Sequence, residues 1–347
     1  MKKLIIIFVC LAIILSIPAC GSRSDLLETG EPQPIQSQPT LSPTAEAQPD
    51  TQNPYLEIEN TLRSNPPCTV NKEMREDAIL ALDAFLKDDS SSVSRDMITF
   101  YGNMIGSVES EITEPVTSGV RIWSMYNHGF IVKTPSTVFA FDLIHGYPSW
   151  QYKIPDAVLK QIQVLFISHR HDDHSDSTII DAITGFGGQV VMPVEDRHFS
   201  RDLVYLAAYD EVTLAGLQIK AYAGLHADIP VRIYVVTTPE GLTIMHTGDN
   251  QTSETLPDAL TVDILLLNAW VNDSGSASPG DGIRNSINKL NPKLTILGHF
   301  QELGHQYDPS SIYSRLSYES ILVTDDVPLP GEVSFQVWGE RCDFPTK

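Results

Sequence analysis

Two spacings of apolar residues divide the chain into an early helical part and a later part rich in strands. Between Asn71 and about Glu111, apolar residues recur every three or four positions, and this spacing predicts amphipathic helices. The recurring positions of the first helix are Met74, Ala78, Leu82, Phe85 and Leu86. Ser94, followed by Asp96, marks the start of a second helix. We expect a small helical segment over residues 55–115, with a structural role because its sequence holds no cluster of metal-ligand or nucleophile residues.

From Val120 onward, short apolar runs separated by polar turns predict β-strands. The predicted strands are Val120–Ser124, Phe130–Lys133, Thr137–Asp142, Val164–Ser168, Gln189–Met192, Glu211–Leu214, Leu217–Ala223, Ile233–Thr237, Leu242–His246, Ile264–Leu267 and Leu294–Gly298. The predicted helices between them are Asp156–Gln161, Thr178–Thr184, Arg284–Leu290 and Ser310–Leu316. Several strands are apolar throughout, which is typical of strands covered on both faces. The pattern predicts an α/β fold, an αββα sandwich over residues 116–347.

The first residues have the composition of an export signal. Lys2 and Lys3 precede an almost unbroken apolar run from Leu4 to Ile17, which is short for a membrane span and fits the core of a signal peptide. The run ends at Ile17-Pro18-Ala19-Cys20-Gly21, which resembles the bacterial lipobox. The resemblance implies removal of residues 1–19, acylation of Cys20 with fatty acids such as palmitate, and a lipid anchor in the cell membrane. An ordinary secretory signal and an uncleaved anchor are alternatives, and all three place the folded part outside the cytoplasm.

Residues 20–54 are rich in Pro, Gln, Ser and Thr and poor in apolar residues. Such a segment buries too little apolar surface to offset the entropy of ordering, so we expect a disordered tether before the folded part. The formal net charge of the chain is −21 at pH 7. This charge repels phosphate backbones and argues against a nucleic-acid partner. A small-molecule substrate remains compatible with it, and the oligomeric state stays open.

Two cysteines remain after the signal and the candidate lipid site are set aside. Cys68 and Cys342 lie near opposite ends of the part predicted to fold. Outside the cytoplasm they are candidates for a disulfide between the N-terminal segment and the C-terminus. Two free buried thiols are the alternative.

Residues that suit metal ions follow directly after the predicted strand that ends at Ser168. His169-Arg170-His171-Asp172-Asp173-His174 brings three imidazoles and two carboxylates together. Each such group costs about 1–3 kcal/mol when it is buried without a partner, so a bound cation explains the cluster better than a solvated polar loop. His169 and His171 alternate along an extended segment and point the same way, so they can hold one ion. Asp173 and His174 turn toward the next helix and can face a second ion.

The order H-x-H-x-D-H after a strand resembles the signature of the metallo-β-lactamase superfamily. Three later positions match the family pattern in order, each after an apolar run: His226 in Gly224-Leu225-His226, Asp249 in His246-Thr247-Gly248-Asp249, and His299 in Gly298-His299-Phe300. The resemblance runs from about Val120 to the C-terminus. It implies the four-layer αββα metallo-β-lactamase sandwich, here preceded by a small helical segment.

The resemblance also implies a site with two metal ions. Its implied first-site ligands are His169, His171 and His226, its second-site ligands are Asp173, His174 and His299, and Asp249 bridges both ions. These ligand types suit two divalent transition-metal ions, Zn first, with Mn and Fe as alternatives. The implied activity is hydrolysis of an ester, lactone or phosphodiester by a metal-bridging hydroxide. Asp173 is the implied catalytic residue, which orients the nucleophile and moves protons.

Departures from the family pattern narrow this expectation. Asp249 argues against a true β-lactamase, because β-lactamases of this fold usually lack the bridging Asp. His171 stands where oxygen-reducing diiron relatives generally carry Glu, which favours hydrolysis over redox chemistry. Asn127-His128-Gly129-Phe130-Ile131-Val132 and Phe139-Ala140-Phe141-Asp142 are similar to the opening hairpin of the lactonase and phospholipase D-like branch. The alternative functions are a non-catalytic metal-containing surface protein that binds or senses, and a diiron redox protein.

Three further residues are candidates for contacts around the ions or with substrate. Asp142, at the end of a predicted strand, could hold a ligating imidazole. His128 lies on the opening hairpin and could contact substrate or a ligand, or be a hydrogen-bonded structural residue. His305 follows the last implied ligand and could line the pocket mouth. We expect His145 and His246 to be structural.

Overall fold

The computed structural model describes residues 53–68, 72–88, 94–146, 153–197, 203–227, 229–275, 279–301, 318–321 and 329–345. The predicted signal peptide, Cys20, the tether up to residue 52, His305 and the predicted helix Ser310–Leu316 lie outside these ranges. No helix within the described ranges is long and apolar enough to cross a membrane.

Two seven-stranded sheets form the centre of the fold. The first has the order β14-β1-β2-β3-β4-β5-β6, with β1 at Val120–Ser124, β2 at Phe130–Lys133, β3 at Val138–Phe141, β4 at Val164–Phe166, β5 at Gln189–Pro193, β6 at Val204–Leu206 and β14 at Arg341–Phe344. The second has the order β13-β12-β11-β10-β9-β8-β7, with β7 at Glu211–Leu214, β8 at Leu217–Gly224, β9 at Val231–Thr237, β10 at Thr243–His246, β11 at Ile264–Asn268, β12 at Leu294–Gly298 and β13 at Glu332–Phe335.

The two sheets share one pattern of pairing. In the first sheet the strands from β14 to β3 pair antiparallel and those from β3 to β6 pair parallel. In the second sheet the strands from β7 to β10 pair antiparallel and those from β10 to β13 pair parallel. Each sheet therefore carries a run of parallel strands, and the loops after β4, β10 and β12 supply most of the candidate ligands.

Helices cover the outer face of each sheet. They are α1 at Pro54–Ser64, α2 at Lys72–Asp88, α3 at Arg95–Glu111, α4 at Asp156–Leu159, α5 at Ser177–Gly185, α6 at Pro279–Leu290 and α7 at Tyr318–Ile321. One apolar cluster fills the space between the sheets. A second joins α1 to α5 to the first sheet, and a third joins α6 to the second. These layers confirm the predicted αββα sandwich.

Strand β4 shows why apolar runs form the centre of this fold. All three of its side chains are buried. Val164 and Phe166 lie in the cluster between the sheets, whereas Leu165 lies in the cluster beneath the helices. Successive side chains of a strand point to opposite faces, so a strand covered on both sides must be apolar at every position.

The N-terminal helices are attached to the end of the chain. Cys68, after α1, forms a disulfide with Cys342 of β14, with their Cα atoms 5.6 Å apart. Arg75 of α2 makes a buried bidentate ion pair with Glu340, and both N–O distances are 2.7 Å. The Tyr55 ring of α1 packs 5.4 Å from the Phe85 ring of α2, centroid to centroid. These contacts make the helical segment part of the layer over the first sheet.

The sequence prediction lacked β6, β13, β14 and α7, and within the predicted helical segment 55–115 it placed no individual helix before Asn71, where the structure has α1. The predicted start at Ser94 agrees with the structure, because its side chain accepts a hydrogen bond from Met97 N and caps α3. Asp173 and His174 lie in a turn, and α5 begins only at Ser177. The helix after the motif thus begins within one residue of the predicted start at Thr178.

Candidate metal centre

The seven candidate ligands lie in loops that follow four strands. His169, His171, Asp173 and His174 follow β4, His226 follows β8, Asp249 follows β10 and His299 follows β12. The structure brings all seven together as two overlapping groups that could each hold a metal ion. Within each group, the possible ligand atoms lie within 4.8 Å of one another.

The first subsite consists of His169, His171, His226 and Asp249. His169 Nε2 lies 3.1 Å from His171 Nδ1 and 3.6 Å from Asp249 Oδ2. The His226 ring lies 4.9 Å from the His171 ring, centroid to centroid. His171 and His226 are half-buried, so this subsite is the more open of the two.

The second subsite consists of Asp173, His174, Asp249 and His299, all of them buried. His174 Nε2 lies 3.3 Å from His299 Nε2 and 3.4 Å from Asp173 Oδ2. Asp249 Oδ1 lies 3.1 Å from His174 Nε2 and 3.2 Å from His299 Nε2.

Asp249 belongs to both subsites through different oxygens. Its Oδ2 faces His169 of the first subsite, and its Oδ1 faces His174 and His299 of the second. A close approach at Gly248 contributes to this position, because a Cβ there would lie 2.5 Å from the Ser168 Cβ. Gly248 also has φ +52°, which glycine adopts at little cost. The turn thus lets Asp249 reach between the two groups of imidazoles.

Asp142 orients two imidazoles from behind the site. Its Oδ2 is 2.8 Å from His174 Nδ1 and accepts a hydrogen bond from Ser168 Oγ at 2.6 Å. Because Ser168 donates its hydroxyl proton to Asp142, its oxygen accepts from His169 Nδ1, 2.9 Å away. Nδ1 of each imidazole is therefore the protonated nitrogen that faces Asp142 or Ser168, and Nε2 faces the site. This tautomer is the one that a metal ligand needs.

The charges of the site fit divalent cations. Asp142, Asp173 and Asp249 are all buried. In the part of the chain that the structure describes, the groups within ion-pair distance of Asp249 are imidazoles, not lysine or arginine side chains. Burial and the nearby His174 lower the pKa of His169 to about 3, so this imidazole is neutral at pH 7. Burial raises the pKa of Asp249, but His174 and His299 outweigh it and hold that pKa well below its usual range. Buried carboxylates beside imidazole nitrogens are the donor set of a transition-metal site.

The carboxylates around His174 also favour a positive charge at this position. Burial lowers its pKa, but Asp249 and Asp173 outweigh that effect and hold the pKa well above its usual value. A proton on His174 Nε2 and a metal cation at the same place would each compensate the charge of Asp173 and Asp249. A bound cation can therefore replace the proton.

His128 and His246 lie under the site as a stacked pair, with ring centroids 4.3 Å apart. His246 Nε2 donates to the His128 carbonyl at 3.1 Å, and its Nδ1 accepts from Gly248 N at 3.3 Å. His246 thus has a structural role in the described structure. The ring nitrogens of His128 make no hydrogen bond to any described residue. Its Nδ1 occupies the space where a side chain at Gly298 would start, 2.2 Å from an added Cβ.

Sequence reasoning missed two residues at the site, Ser168 and Asn127. Ser168 joins Asp142 to His169, and Asn127 donates to Asp173 Oδ2 at 2.9 Å. Asn127 stands in a stretch that sequence reasoning did single out, Asn127-His128-Gly129. For Ser168 no sequence signal exists, because only the geometry distinguishes its hydroxyl from that of any serine at a strand end. Trp270 packs on His299 with ring centroids 3.8 Å apart. His145 Nδ1 accepts from Ile154 N at 3.0 Å and belongs to neither subsite.

The profile of the Beta-lactamase superfamily domain matches residues 125–298, half of the chain. The match contains six of the seven candidate ligands and ends one residue before His299. The chain belongs to the metallo-β-lactamase superfamily. Comparison with curated protein sequences found no match.

Comparison with solved structures found similar chains at low sequence identity. Igni18, a metallo hydrolase from Ignicoccus hospitalis, is 13% identical with a TM-score of 0.50 over 66% of this chain and 100% of its own. A possible metal-dependent hydrolase from Veillonella parvula is 13% identical, with a TM-score of 0.48 over 65% of this chain and 100% of its own. CmlA, a diiron β-hydroxylase from Streptomyces venezuelae, is 14% identical, with a TM-score of 0.48 over 67% of this chain and 55% of its own. The likeness to Igni18 concerns the fold alone.

Proposed function

We propose that this protein is a dinuclear metal-dependent hydrolase that cleaves an ester, lactone or phosphodiester bond at the cell surface. The observation that carries the proposal is the position of Asp249, whose two carboxylate oxygens face two separate groups of imidazoles. A carboxylate shared in this way is suited to two cations side by side. Its presence also favours a general hydrolase over a true β-lactamase.

The donor set favours two zinc ions, with manganese or iron as alternatives. His169, His171 and His226 would hold the first, Asp173, His174 and His299 the second, and Asp249 both. Bound there, the ions would lower the pKa of water and polarise the oxygen of the bond to be cleaved. The chain belongs to the metallo-β-lactamase superfamily, and its structural neighbour Igni18 is named a metallo hydrolase.

Asp173 is the residue that we assign to proton transfer. Burial raises its pKa, but His174 outweighs that effect and holds the pKa well below its usual range, so the carboxylate is ionised at pH 7. Asn127 fixes its orientation through Oδ2. An ionised, oriented carboxylate beside the ions can orient an attacking water and accept a proton from it.

We place the protein on the membrane through a lipid at Cys20, with residues 20–54 as a tether. The support is the lipobox-like Ile17-Pro18-Ala19-Cys20-Gly21 after the apolar run Leu4–Ile17. Labelling with a palmitate analogue and membrane fractionation test this placement. Wild-type chain should carry the label in the membrane fraction, and Cys20→Ala should lose it. Equal labelling of wild type and Cys20→Ala would contradict the lipid anchor.

We assign the substrate to the classes used by the lactonase and phospholipase D-like branch. The support is the hairpin sequence from Asn127 to Asp142. Expected substrates are a neutral ester or lactone, or a phosphodiester, and a panel of each class separates them.

Metal content and turnover, measured on the same preparation of full-length chain, test the proposed activity. We expect about two transition-metal ions per chain, and hydrolysis of at least one class in the panel. A chelator and His171→Ala should each abolish hydrolysis, whereas His145→Ala, which changes a histidine away from the ligands, should retain it. Full metal occupancy without turnover on any class would contradict the proposed activity and favour a binding or sensing role. Iron content with oxygen consumption would favour redox chemistry.

A further inference from the structure

Asn127 connects the two sheets at the second subsite. It lies in the loop between β1 and β2 of the first sheet, whereas His299 follows β12 of the second. The Asn127 carbonyl accepts a hydrogen bond from His299 N at 3.0 Å. Both residues have left-handed backbones, with φ +63° and +65°. Asparagine adopts this conformation more readily than most residues do, so the loop can turn its carbonyl toward His299.

The side chain of Asn127 holds the other ligand of the same subsite. Its Nδ2 donates to Asp173 Oδ2 at 2.9 Å and lies 3.4 Å from His299 Nε2. The reverse orientation of the amide would point an oxygen at the carboxylate, which is repulsive, so Nδ2 is the atom that faces Asp173. One residue thus contacts Asp173 through its side chain and His299 through its main chain.

Support of the fold alone does not explain this amide. Asn127 is 2% exposed, and its Oδ1 accepts no hydrogen bond from any described residue. Buried amides that serve only the fold have both ends satisfied, because an unmet acceptor costs free energy. The contact with Asp173 is therefore the one that accounts for the position of this side chain.

The first subsite has a separate support. His169 is oriented by Ser168, which is in turn held by Asp142. Within the described residues, the hydrogen bonds of the Asn127 side chain lead only to the second subsite. A change at Asn127 should consequently affect the two subsites unequally.

We propose that Asn127 is a positioning residue that sets the affinity of the second metal ion, because it holds Asp173 and His299 at a fixed separation. This inference rests on the proposed dinuclear site. Contacts of this kind, made behind the ligands, change metal affinity by about 10–100-fold.

Asn127→Gly separates the side chain from the backbone. Glycine keeps the left-handed conformation and the carbonyl that receives His299 N, but it removes the donor to Asp173. The matched control is Asn291→Gly, which replaces another left-handed asparagine (φ +48°) that follows α6 and is exposed. Zn²⁺ is titrated from a competing chelator into full-length, metal-stripped protein, and two stepwise dissociation constants are fitted. Thermal unfolding of the metal-free forms is recorded in parallel.

Asn127→Gly should raise one stepwise dissociation constant by about 10–100-fold, the one that His299→Ala raises most, and leave the other within about twofold of wild type. Asn291→Gly should leave both unchanged. Two unchanged constants in Asn127→Gly, or an equal loss of both ions, would overturn the inference while the hydrolase proposal stands. If wild type binds two ions but hydrolyses nothing, the hydrolase proposal fails and the inference is still decided by the titration. A wild type that binds fewer than two ions would overturn both.

Discussion

The Ser168 hydroxyl donates a hydrogen bond to Asp142 Oδ2 over 2.6 Å. Its oxygen is thereby left to accept from His169 Nδ1 at 2.9 Å, while the same Asp142 oxygen lies 2.8 Å from His174 Nδ1. A single buried carboxylate therefore sets the tautomer of one imidazole directly and of another through a hydroxyl. Because the two imidazoles belong to different subsites, Asp142 couples the orientation of ligands around both proposed ions.

The first prediction concerns Ser168→Ala. The variant breaks the connection between Asp142 and His169 but leaves the contact of Asp142 with His174, so the first ion should bind about 10-fold more weakly. The measurement is the stepwise Zn²⁺ titration of metal-stripped protein. The control is Ser124→Ala, which removes another buried hydroxyl, one bonded to Gln336. A first-ion affinity equal to that of the control would contradict the role given to Ser168.

The ligand motif could be located from the sequence because its members match the family pattern in order, each after an apolar run. His226, Asp249 and His299 each stand after an apolar run, and the loops after β8, β10 and β12 converge with the loop after β4. Such convergence at strand ends follows from the layered fold, so residues that match the family order lie together in the structure. The side chains that hold the ligands could not be located in this way. The role of Ser168 depends on the direction in which its hydroxyl points, and that of Asn127 on the left-handed backbone of its loop.

The missed elements have weak local patterns. Strand β14 reads Arg341-Cys342-Asp343-Phe344 and buries only Cys342 fully, so it resembles a polar loop. Helix α1 places Tyr55, Ile58 and Leu62 in the core, but it follows directly on a segment rich in Pro and Gln. Both are stabilised by distant residues, since β14 pairs with β1 and α1 packs against α2. Contacts of long sequence separation are not visible to a local pattern.

The second prediction concerns the buried ion pair between Arg75 and Glu340, whose side chains are 8% and 4% exposed. Arg75→Met leaves the Glu340 carboxylate without its partner and should lower the free energy of unfolding by about 3–5 kcal/mol. The double variant Arg75→Met, Glu340→Leu should lose less, because no charge is left buried. Urea unfolding measures both.

A half-exposed pair provides the comparison for this prediction. Arg63 and Glu59 are one helical turn apart, 2.9 Å from N to O, and pairs of this kind contribute about 0.2–1 kcal/mol. Arg63→Met should therefore have a small effect. If Arg75→Met were no more destabilising than Arg63→Met, the buried pair would not be holding α2 on the fold.

The third prediction concerns the disulfide between Cys68 and Cys342, which lie 274 residues apart in sequence. A crosslink over such a distance restricts the unfolded chain, and its loss should cost about 2–4 kcal/mol. Thermal unfolding of Cys68→Ala, Cys342→Ala should show a lower midpoint than wild type. A reducing agent should lower the midpoint of wild type toward that of the variant and leave the variant unchanged. An equal midpoint in all four measurements would mean that the crosslink does not stabilise the fold.

The fourth prediction concerns Gly298, the last residue of β12. A Cβ at this position would lie 2.2 Å from His128 Nδ1, in a core where both residues are enclosed, so Gly298→Ala should cost about 1–3 kcal/mol through overpacking. His128→Ala removes the obstructing ring. The double variant should therefore be more stable than the sum of the two single changes predicts, by about 0.5–3 kcal/mol. Urea unfolding of the four proteins measures this coupling. Additive losses would show that the backbone moves away and that His128 does not determine the glycine. Because Gly298 immediately precedes His299, Gly298→Ala should also weaken binding of the second ion. The double variant should bind that ion more tightly than Gly298→Ala alone.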